Sequence, residues 1–316
     1  MSPAAPRGLP SALPDSVSVI EVGPRDGFQM EELFIPTELK VEAIERLADA
    51  GLRAVEAVSF AHPRVIPQMR DAGEVLERVN RRSDVEYTAL VPNLRGAERA
   101  LAAGVDGLHF VVCASETYNQ RNVGMSVDES VADLVRIART VDGKVPLAVT
   151  MAVTFGCPFE GQLPEDVLVE LAARLVDAGA DHLGLADTAG LGDPMLVRRV
   201  VSQVQQRLPA TPLRMHLHDT RGLGIANALT AMELGVGTFD TALGGLGGCP
   251  VMKGASGNVS TEDFVNLCDE MGLETGVDVA GVAAVSRLLQ SFLGRELPSK
   301  VLRSGTRDEL YAANRD

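Results

Sequence analysis

The segment from His182 to His218 reads HLGLADTAGLGDPMLVRRVVSQVQQRLPATPLRMHLH and contains one complete strand–helix–strand unit. Its two ends, His182–Ala186 and Leu213–His218, are short and mostly apolar, as expected of parallel strands that are buried on both faces. Pro194–Arg207 lies between them and has the composition of a helix. The unit therefore predicts parallel strands that are joined by helical crossovers.

The same alternation runs along the chain from Val17 onward. The other strand-like runs are Val17–Val22, Ala54–Phe60, Glu86–Val91, Gly107–Ala114, Pro146–Val153 and Thr238–Leu243. The other helical segments are Glu38–Ala50, Glu98–Ala103, Val127–Thr140, Glu165–Ala178 and Ile225–Leu234. Eight alternations predict an α/β protein with a (β/α)8 TIM barrel. A doubly wound sheet is the alternative, but it seldom needs eight successive units, and no GxGxxG turn follows the first strand.

The domain organisation that we expect is simple. Residues 17–302 form a single TIM-barrel catalytic domain, in which Val277–Phe292 is an extra C-terminal helix. Residues 1–16 are proline-rich and predict a loose N-terminal leader, while residues 303–316 predict a polar tail. No linker is long enough to separate two domains.

The composition excludes several classes of function. Asp and Glu number 43 against 29 Lys and Arg, which argues against a nucleic-acid partner held by phosphate neutralisation. No apolar run approaches membrane-spanning length, so we expect no membrane partner. Cysteines occur at 113, 157, 249 and 268 without a CxxC pair, a pattern typical of reduced thiols. The leader lacks the apolar core of a secretion signal, and we therefore expect a cytoplasmic protein.

Polar residues follow the carboxyl ends of the predicted strands, which is where TIM barrels place their active sites. They are Arg25 and Asp26 after the first strand, Glu56 on the second, Asn93 after the third, Asp187 after the sixth, and His216, His218 and Asp219 at the seventh. We therefore expect these side chains to meet at the mouth of the barrel.

His216 and His218 are two residues apart on a strand, so their imidazoles face the same side and can form a two-nitrogen metal clamp. Such a pair is also common as a purely structural feature. With Asp26 and Asn258 it becomes a site of two nitrogens and two oxygens, which favours Mg²⁺ or Mn²⁺. Zn²⁺ remains an alternative, because its catalytic sites also use histidine and carboxylate.

Two acidic strand residues and one arginine suggest catalysis. Arg25 beside Asp26 is compatible with an ordinary surface ion pair, but next to a metal ligand it is placed to stabilise an oxyanion. Glu56 lies on an apolar strand, and buried carboxylates are rare without a partner, for which Arg25 is the obvious candidate. Asp187 has the same status on the sixth strand.

The stretch Thr238–Asp263, TFDTALGGLGGCPVMKGASGNVSTED, places Cys249 in a glycine-rich loop. Glycine is costly to order, so such a loop usually serves close backbone approach to a ligand or a moving lid. An incidental tight turn is the alternative. Gly248 in this loop and Asn93 are the candidate cofactor-binding residues. Cys113 and Cys157 are expected in the core.

These motifs resemble hydroxymethylglutaryl-CoA lyases, within a wider group of metal-dependent acyl-CoA lyases and synthases. RDGxQ at Arg25–Gln29 and HxHD at His216–Asp219 resemble the wider group. GGLGGCP with GASGNVSTED, GCPFEG from Gly156 and VPNLRG from Val91 resemble the lyases themselves. The resemblance extends from about Val17 to about Leu302.

The resemblance implies a metal held by Asp26, His216, His218 and Asn258. It further implies that Arg25 faces the thioester carbonyl, that Glu56 orients Arg25, and that Cys249 is a mobile-loop acid or base. The implied reaction cleaves hydroxymethylglutaryl-CoA into acetyl-CoA and acetoacetate, a step of leucine degradation. A homodimer is compatible with the resemblance, but nothing in the sequence demonstrates one.

The match has departures that concern the substrate pocket. Phe28 and Met30 replace the family's leucine and asparagine, and Arg221 stands where a tyrosine is common. On the fifth strand Ala148 and Thr150 stand where the lyases have an arginine and a tyrosine. The substrate is therefore either hydroxymethylglutaryl-CoA or a homologue such as citramalyl-CoA. A Claisen-condensing synthase and a catalytically silent binding barrel are the remaining alternatives.

Overall fold

The computed structural model describes residues 13–248 and 257–314. Within these ranges eight parallel strands form a closed barrel in sequence order. The strands are β1 Ser18–Glu21, β2 Ala54–Ser59, β3 Glu86–Leu90, β4 Gly107–Cys113, β5 Leu147–Ala152, β6 His182–Asp187, β7 Leu213–Leu217 and β8 Thr238–Thr241. β1 pairs with β8 from Ser18↔Thr238 to Glu21↔Thr241, and this pairing closes the ring. The predicted TIM barrel is confirmed.

Helices alternate with the strands around the ring. They are α1 Thr37–Asp49, α2 Ala72–Arg78, α3 Leu94–Ala102, α4 Glu116–Val123, α5 Val127–Val141, α6 Glu165–Asp177, α7 Pro194–Arg207, α8 Gly224–Glu233, α9 Thr261–Met271, α10 Val279–Leu293, α11 Lys300–Ser304 and α12 Arg307–Ala313. One turn of π-helix follows β1 at Gly23–Gly27. No helix in the described ranges is both long enough and apolar enough to cross a bilayer.

All predicted strands and helices are present, with ends that differ by a few residues. Gly51, Gly104, Gly179 and Gly235, which follow helices in the sequence, have φ values of +97°, +72°, +113° and +82°. They supply the left-handed residue that ends a helix without a Cβ clash. The predicted extra helix is α10, which packs against α1 and α9.

Five helices add to the sequence-based description, namely α2, α4, α9, α11 and α12. α2 and α4 have only seven and eight residues, too few for a clear apolar period to stand out. The predicted polar tail contains α12, which begins with a capping box at Thr306 and Glu309 but has no buried residue. The tail is thus helical without adding to the core.

The core lies between the barrel wall and the surrounding helices. Apolar residues on the inner faces of the helices, such as Ile44, Leu47, Val200 and Val204, are fully buried against outward-facing strand residues such as Leu183. Burying each of these side chains contributes about 1.5–3 kcal/mol. The apolar side chains buried between the strands and the helices therefore provide most of the hydrophobic stabilisation of the fold.

The inner face of the barrel is polar instead. TIM barrels usually fill this space with layers of branched aliphatic side chains. Here Glu56, His109, Thr150, Arg214 and Asp240 are buried inside the ring. A polar interior costs free energy unless every group is paired, so its presence directs attention to the barrel mouth directly above it.

Candidate active site

The sequence-predicted metal ligands converge at the carboxyl ends of the strands. Asp26, His216 and His218 are buried, and their ligand atoms all lie within 4.8 Å of one another. The Nε2 atoms of the two imidazoles are 3.2 Å apart. His216 lies on β7, His218 follows it, and their two-residue spacing turns both rings inward as predicted. Three of the four predicted ligands thus share one point.

Asn258 brings the fourth predicted ligand to the same place. Its Nδ2 donates to Asp26 Oδ2 at 2.8 Å and to the carbonyl of Leu246 at 3.1 Å. Its Oδ1 is buried and has no hydrogen-bond partner among the described residues. A buried carbonyl oxygen without a donor is costly. This oxygen, a carboxylate and two adjacent imidazole nitrogens form a donor set that fits a hard divalent cation.

Gly247 makes room for this arrangement. Its φ is +110°, a region that L-residues rarely adopt, and a Cβ there would lie 2.5 Å from Asn258 Nδ2 and 3.4 Å from Asp26 Oδ2. Any side chain would push the amide away from the carboxylate. The glycine-rich loop therefore allows close backbone approach to the ligands at this position, in agreement with the sequence-based expectation.

The segment that carries Arg25 and Asp26 is anchored from below by Glu21 at the end of β1. Glu21 Oε1 accepts N–H groups from Gly23 at 2.7 Å and Leu243 at 2.9 Å, while Oε2 accepts the Thr261 hydroxyl at 2.6 Å. Burial raises the pKa of this carboxyl to about 8, although those donors pull it down. Glu21 therefore ties the π-turn after β1 to the chain that follows β8.

Asp240 orients one metal ligand from behind. Its Oδ2 lies 3.2 Å from Nδ1 of His216. A proton on Nδ1 leaves the Nε2 lone pair free toward the cluster, as is usual for metal-binding histidines. Burial favours a raised pKa for Asp240, but the charge of Arg214 and the hydrogen bond from His216 overcome it and lower the pKa. The carboxylate form of Asp240 is thus maintained inside the barrel.

Arg25 is buried beside the cluster with two carboxylates. Its Nε donates to Glu56 Oε1 and its NH1 to Asp26 Oδ1. Burial opposes the charge on Arg25, yet both carboxylates more than compensate and raise its pKa. Burial also opposes charge on Glu56, but Arg25 dominates there and lowers the pKa of Glu56. The predicted Arg25–Glu56 partnership is confirmed.

The other oxygen of Glu56 starts a chain of contacts across the barrel interior. Glu56 Oε2 lies 2.6 Å from His109 Nδ1, and His109 Nε2 lies 2.8 Å from Thr150 Oγ1. Arg214 NH2 donates to the same Thr150 oxygen at 3.3 Å and lies 3.5 Å from Asp240. We call these contacts the interior chain. It connects Arg25 to His216 through side chains from β2, β4, β5, β7 and β8.

Sequence reasoning missed His109, Arg214 and Asp240 as parts of this site. His109 is not among the predicted site residues, although a histidine on an otherwise apolar strand needs a polar partner. Burial lowers its pKa and the positive charge of Arg214 acts in the same direction, despite the opposing Glu56 carboxylate. Arg214 and Asp240 each share an inner strand face with polar neighbours, at the two-residue spacing that already identified the histidine pair.

The remaining predicted residues have other positions. Both oxygens of Asp187 accept backbone N–H groups, from Leu191 at 2.8 Å and Gly192 at 3.0 Å, and burial raises its pKa to about 6. Asn93 is exposed, and its Oδ1 caps α3 through the N–H of Gly96.

Gly248 and Cys249 belong to the glycine-rich loop, and Arg221 is the residue at which the family commonly has a tyrosine. Gly248 ends the described segment, and Cys249 lies outside the described residues. Arg221 donates to the carbonyls of Ala189 and Gly190 at 3.0 and 2.9 Å, so it braces the loop after β6. The proposed functions of Asp187, Asn93, Gly248 and Cys249 remain predictions.

Comparisons with known proteins agree with this geometry. The HMGL-like family profile matches residues 16–289. The chain is 36% identical over 313 residues to the cytoplasmic 3-hydroxy-3-methylglutaryl-CoA lyase of Rattus norvegicus, covering 98% of this chain and 91% of that protein. It is 38% identical over 291 residues to hydroxymethylglutaryl-CoA lyase YngG of Bacillus subtilis, with 92% and 97% covered.

A solved structure is also closely similar. An HMG-CoA lyase from Acinetobacter baumannii, in complex with coenzyme A and 3-methylmalate, superposes with a TM-score of 0.89 at 42% identity. The alignment covers 93% of this chain and 96% of that one. Sequence and fold similarity therefore both extend over nearly the whole barrel.

Proposed function

Because this chain belongs to the HMGL-like family, we propose that it is a divalent-cation-dependent lyase that cleaves 3-hydroxy-3-methylglutaryl-CoA to acetyl-CoA and acetoacetate. The observation that carries the proposal is the convergence of Asp26, His216 and His218 beside the buried guanidinium of Arg25. The related structure with bound coenzyme A supports an acyl-CoA substrate.

The cation in this proposal is Mg²⁺ or Mn²⁺, held by Asp26, His216, His218 and Oδ1 of Asn258. Two carboxylate or amide oxygens and two imidazoles suit these ions, and Asn258 Oδ1 is a buried oxygen without a hydrogen-bond partner among the described residues. When bound, the cation would lower the pKa of the substrate's tertiary hydroxyl. Asp240 contributes by keeping the His216 ring in one orientation.

The reaction begins with removal of the hydroxyl proton. We propose that Asp187, the acidic residue predicted on the sixth strand, is the base, because burial raises its pKa to about 6 and this is well matched to proton transfer near neutral pH. The bond between the carbinol carbon and the carbon next to the thioester then breaks. The carbinol carbon becomes the ketone of acetoacetate, and the bonding electrons pass to the thioester enolate.

Arg25 is placed to stabilise that enolate. Its charge is buried, its orientation is set by Glu56, and a preorganised donor in a dry site acts without further reorganisation. Loss of one such donor typically lowers the rate about 100- to 1,000-fold. Glu56 in turn is held on its other side by His109. The interior chain thus supports the catalytic guanidinium from below.

The last step returns a proton to the enolate carbon and yields acetyl-CoA. We propose Cys249 as the acid, with Gly248 and Asn93 contacting the acyl-CoA. Cys249 lies outside the described residues, so this part of the proposal rests on the sequence resemblance and on the place of Gly247, which precedes Cys249 by two residues and lies against Asn258 and Asp26. Closure of a loop over the site would exclude water from the enolate.

The second candidate substrate is a homologue of 3-hydroxy-3-methylglutaryl-CoA, and the contacts of Thr150 support this alternative. Thr150 stands where the lyases have a tyrosine, and its hydroxyl is occupied by His109 and Arg214. Changes of this kind in a pocket alter specificity by about 1–3 kcal/mol per contact. Citramalyl-CoA and longer branched 3-hydroxyglutaryl-CoA thioesters are therefore the comparison substrates.

The decisive experiment assays the purified, Mg²⁺- or Mn²⁺-loaded protein against a panel of these 3-hydroxyacyl-CoA thioesters. We expect acetyl-CoA and a keto acid from 3-hydroxy-3-methylglutaryl-CoA, with Arg25→Met as the inactive control. Free thiol released from acetyl-CoA and a 2-oxo acid would instead indicate a Claisen-condensing synthase. No turnover of any thioester by metal-replete protein would favour the silent binding barrel.

The proposal also covers the setting of the enzyme. We propose that residues 17–302 act as one catalytic domain, that the protein is cytoplasmic, and that it serves leucine degradation. The cytoplasmic rat lyase supports the location. A homodimer, as one option for its assembly, can be measured by sedimentation of the metal-loaded protein.

A further inference from the structure

A second cavity lies at the opposite end of the barrel from the metal ligands. It has a volume of about 580 Å³ and is lined by residues at the amino ends of the strands, among them Ala54, Thr88, Gly107, Ala148 and Thr238. This volume is within the range of small-molecule sites, roughly 300–1,000 Å³. The cavity enters the interior of the barrel from its base.

The cavity arises from small side chains in the lowest layer of the barrel. Ala54 precedes Glu56 by two residues and Thr238 precedes Asp240 by two, so each points to the same interior face as its polar neighbour. Branched aliphatic residues normally fill this layer. Alanine, glycine and threonine leave it open as far as the polar layer above.

Arg214 forms the inner end of the cavity and has unused hydrogen-bonding capacity. The residue is only 6% exposed, and it lines the cavity. Its NH2 makes long contacts, 3.3 Å to Thr150 Oγ1 and 3.5 Å to Asp240 Oδ2. Its buried Nε has no partner within residues 13–248 and 257–314. A guanidinium carries five N–H donors, and each one left unsatisfied in a buried place is costly.

Gly184 on the neighbouring strand preserves the space around this guanidinium. A Cβ at Gly184 would lie 2.2 Å from Thr150 Oγ1 and 3.3 Å from Arg214 Nε. Its φ is not among the positive ones, so the glycine is required by the neighbouring side chains and not by the backbone conformation. The position of Arg214 is therefore built into the barrel wall.

We propose that the barrel base is a binding site for a short-chain monocarboxylate, whose carboxylate is held by Arg214. The single buried cation of the cavity is partly offset by Asp240. The cavity edge carries exposed Glu86 and Glu274, and Arg53 there is paired with Asp84 at 3.2 Å. Since these acidic groups repel two negative charges more strongly than one, they disfavour a dianion such as phosphate more than a single carboxylate, for which the Nε of Arg214, unpaired in the described part of the chain, is the donor.

The cavity walls select the body of the ligand. Ile20, Ala54 and Ala148 line the cavity alongside Arg214. An aliphatic chain of a few carbons would bury apolar surface against these side chains while its carboxylate accepts from the guanidinium. The site lies outside the substrate-binding mouth, so this proposal goes beyond the lyase reaction.

The test titrates the metal-loaded protein with butyrate and with its neutral isostere butyramide, using isothermal calorimetry and saturation-transfer NMR. We expect butyrate to bind at least tenfold more tightly than butyramide. Arg214→Met should reduce butyrate binding at least tenfold. Ala54→Leu, which fills the cavity from β2 and leaves Arg214 in place, should abolish it.

Mouth-site variants assign the binding to one end of the barrel. Arg25→Met and His218→Ala should both retain butyrate binding, because Arg25 and the metal ligands lie at the opposite end. Loss of binding in either of these variants, or full binding in Ala54→Leu, would overturn the proposal. The proposal would also be overturned if butyrate showed no saturable binding up to about 10 mM. A dissociation constant above that concentration corresponds to a binding free energy weaker than roughly 3 kcal/mol. If Ala54→Leu lowers the melting temperature too far to assay, Thr238→Leu fills the same cavity from β8.

Discussion

Replacing His109 tests whether the interior chain positions the catalytic arginine. His109 touches neither the metal ligands nor Arg25 directly, but its Nδ1 lies 2.6 Å from Glu56, which accepts from Arg25. His109→Leu keeps a side chain of comparable size and removes both of its polar contacts. Glu56 Oε2 then loses its partner in a fully buried place. We expect Glu56 to rotate and Arg25 to lose its fixed orientation.

The size of the effect follows from the cost of the unpaired group. A buried polar group that loses its partner is destabilised by about 1–3 kcal/mol. If Glu56 moves to find another partner, it no longer orients Arg25. The stabilisation of the enolate by Arg25 then decreases by a similar free energy. At 1.36 kcal/mol per factor of ten, kcat falls about 5- to 150-fold. KM should change little, because the groups that bind the acyl-CoA are not disturbed.

His109→Gln is the matched control for this experiment. Its amide nitrogen can donate to Glu56 while its carbonyl accepts from Thr150, so it should recover a large part of kcat. Steady-state kinetics of both variants should be accompanied by metal analysis and thermal melting. Equal losses in the glutamine and leucine variants would show that His109 has only a packing role. Unchanged kcat in His109→Leu would refute the positioning argument.

Three further predictions address the ligands, the loop and the buried carboxyl under the π-turn. His218→Ala removes one imidazole donor and should lower the metal retained after dialysis, whereas Arg25→Met should keep its metal while turnover falls about 100- to 1,000-fold. Cys249→Ala should lower turnover strongly at unchanged metal content, and full activity would show that the loop assignment is wrong. Burial raises the pKa of Glu21 from 4.5 to about 8, so the folded protein holds a proton that the unfolded chain releases. The free energy of unfolding should therefore fall as pH rises between these values, by up to about 1.4 kcal/mol per pH unit, and urea titrations of Glu21→Gln should lack that slope. Equal slopes for the two proteins would mean that Glu21 is ionised in the fold.

The barrel could be predicted because its signals are local. The strands have four to seven residues and most of them are largely apolar, and glycines such as Gly51 and Gly179 mark the ends of the helices. These signals depend on burial and on backbone sterics, which act within a few residues. α2 and α4 escaped prediction because helices of seven or eight residues show barely two turns of any period.

The site could be predicted only where its polar residues lie close together in sequence at the end of one strand. The two-residue spacing of His216 and His218 indicates a shared face, and Arg25 and Asp26 are recognised because they are adjacent in sequence. His109 and Asp240 do not, because their importance comes from partners 53 and 24 residues away in sequence. A lone histidine or aspartate on an apolar strand indicates that a partner exists but not which one. The identity of the partner follows only from the three-dimensional arrangement of the strands in the closed barrel.

The charges of the interior chain explain why a cation belongs at its upper end. Asp26, Glu56 and Asp240 each have a lowered pKa, because nearby positive charges outweigh the effect of burial. Three carboxylates face the two guanidinium groups of Arg25 and Arg214, which leaves one net negative charge among these five groups. A divalent cation at the ligand cluster reverses this to one net positive charge. An anionic acyl-CoA would be attracted to that field, and the enolate formed from it would be stabilised by the same excess charge. Neutralising Asp240 with asparagine should therefore weaken metal binding by misorienting His216 and by removing part of this balance, a loss that equilibrium dialysis against Mn²⁺ would measure. Unchanged Mn²⁺ affinity in that variant would show that the interior chain does not reach the cation.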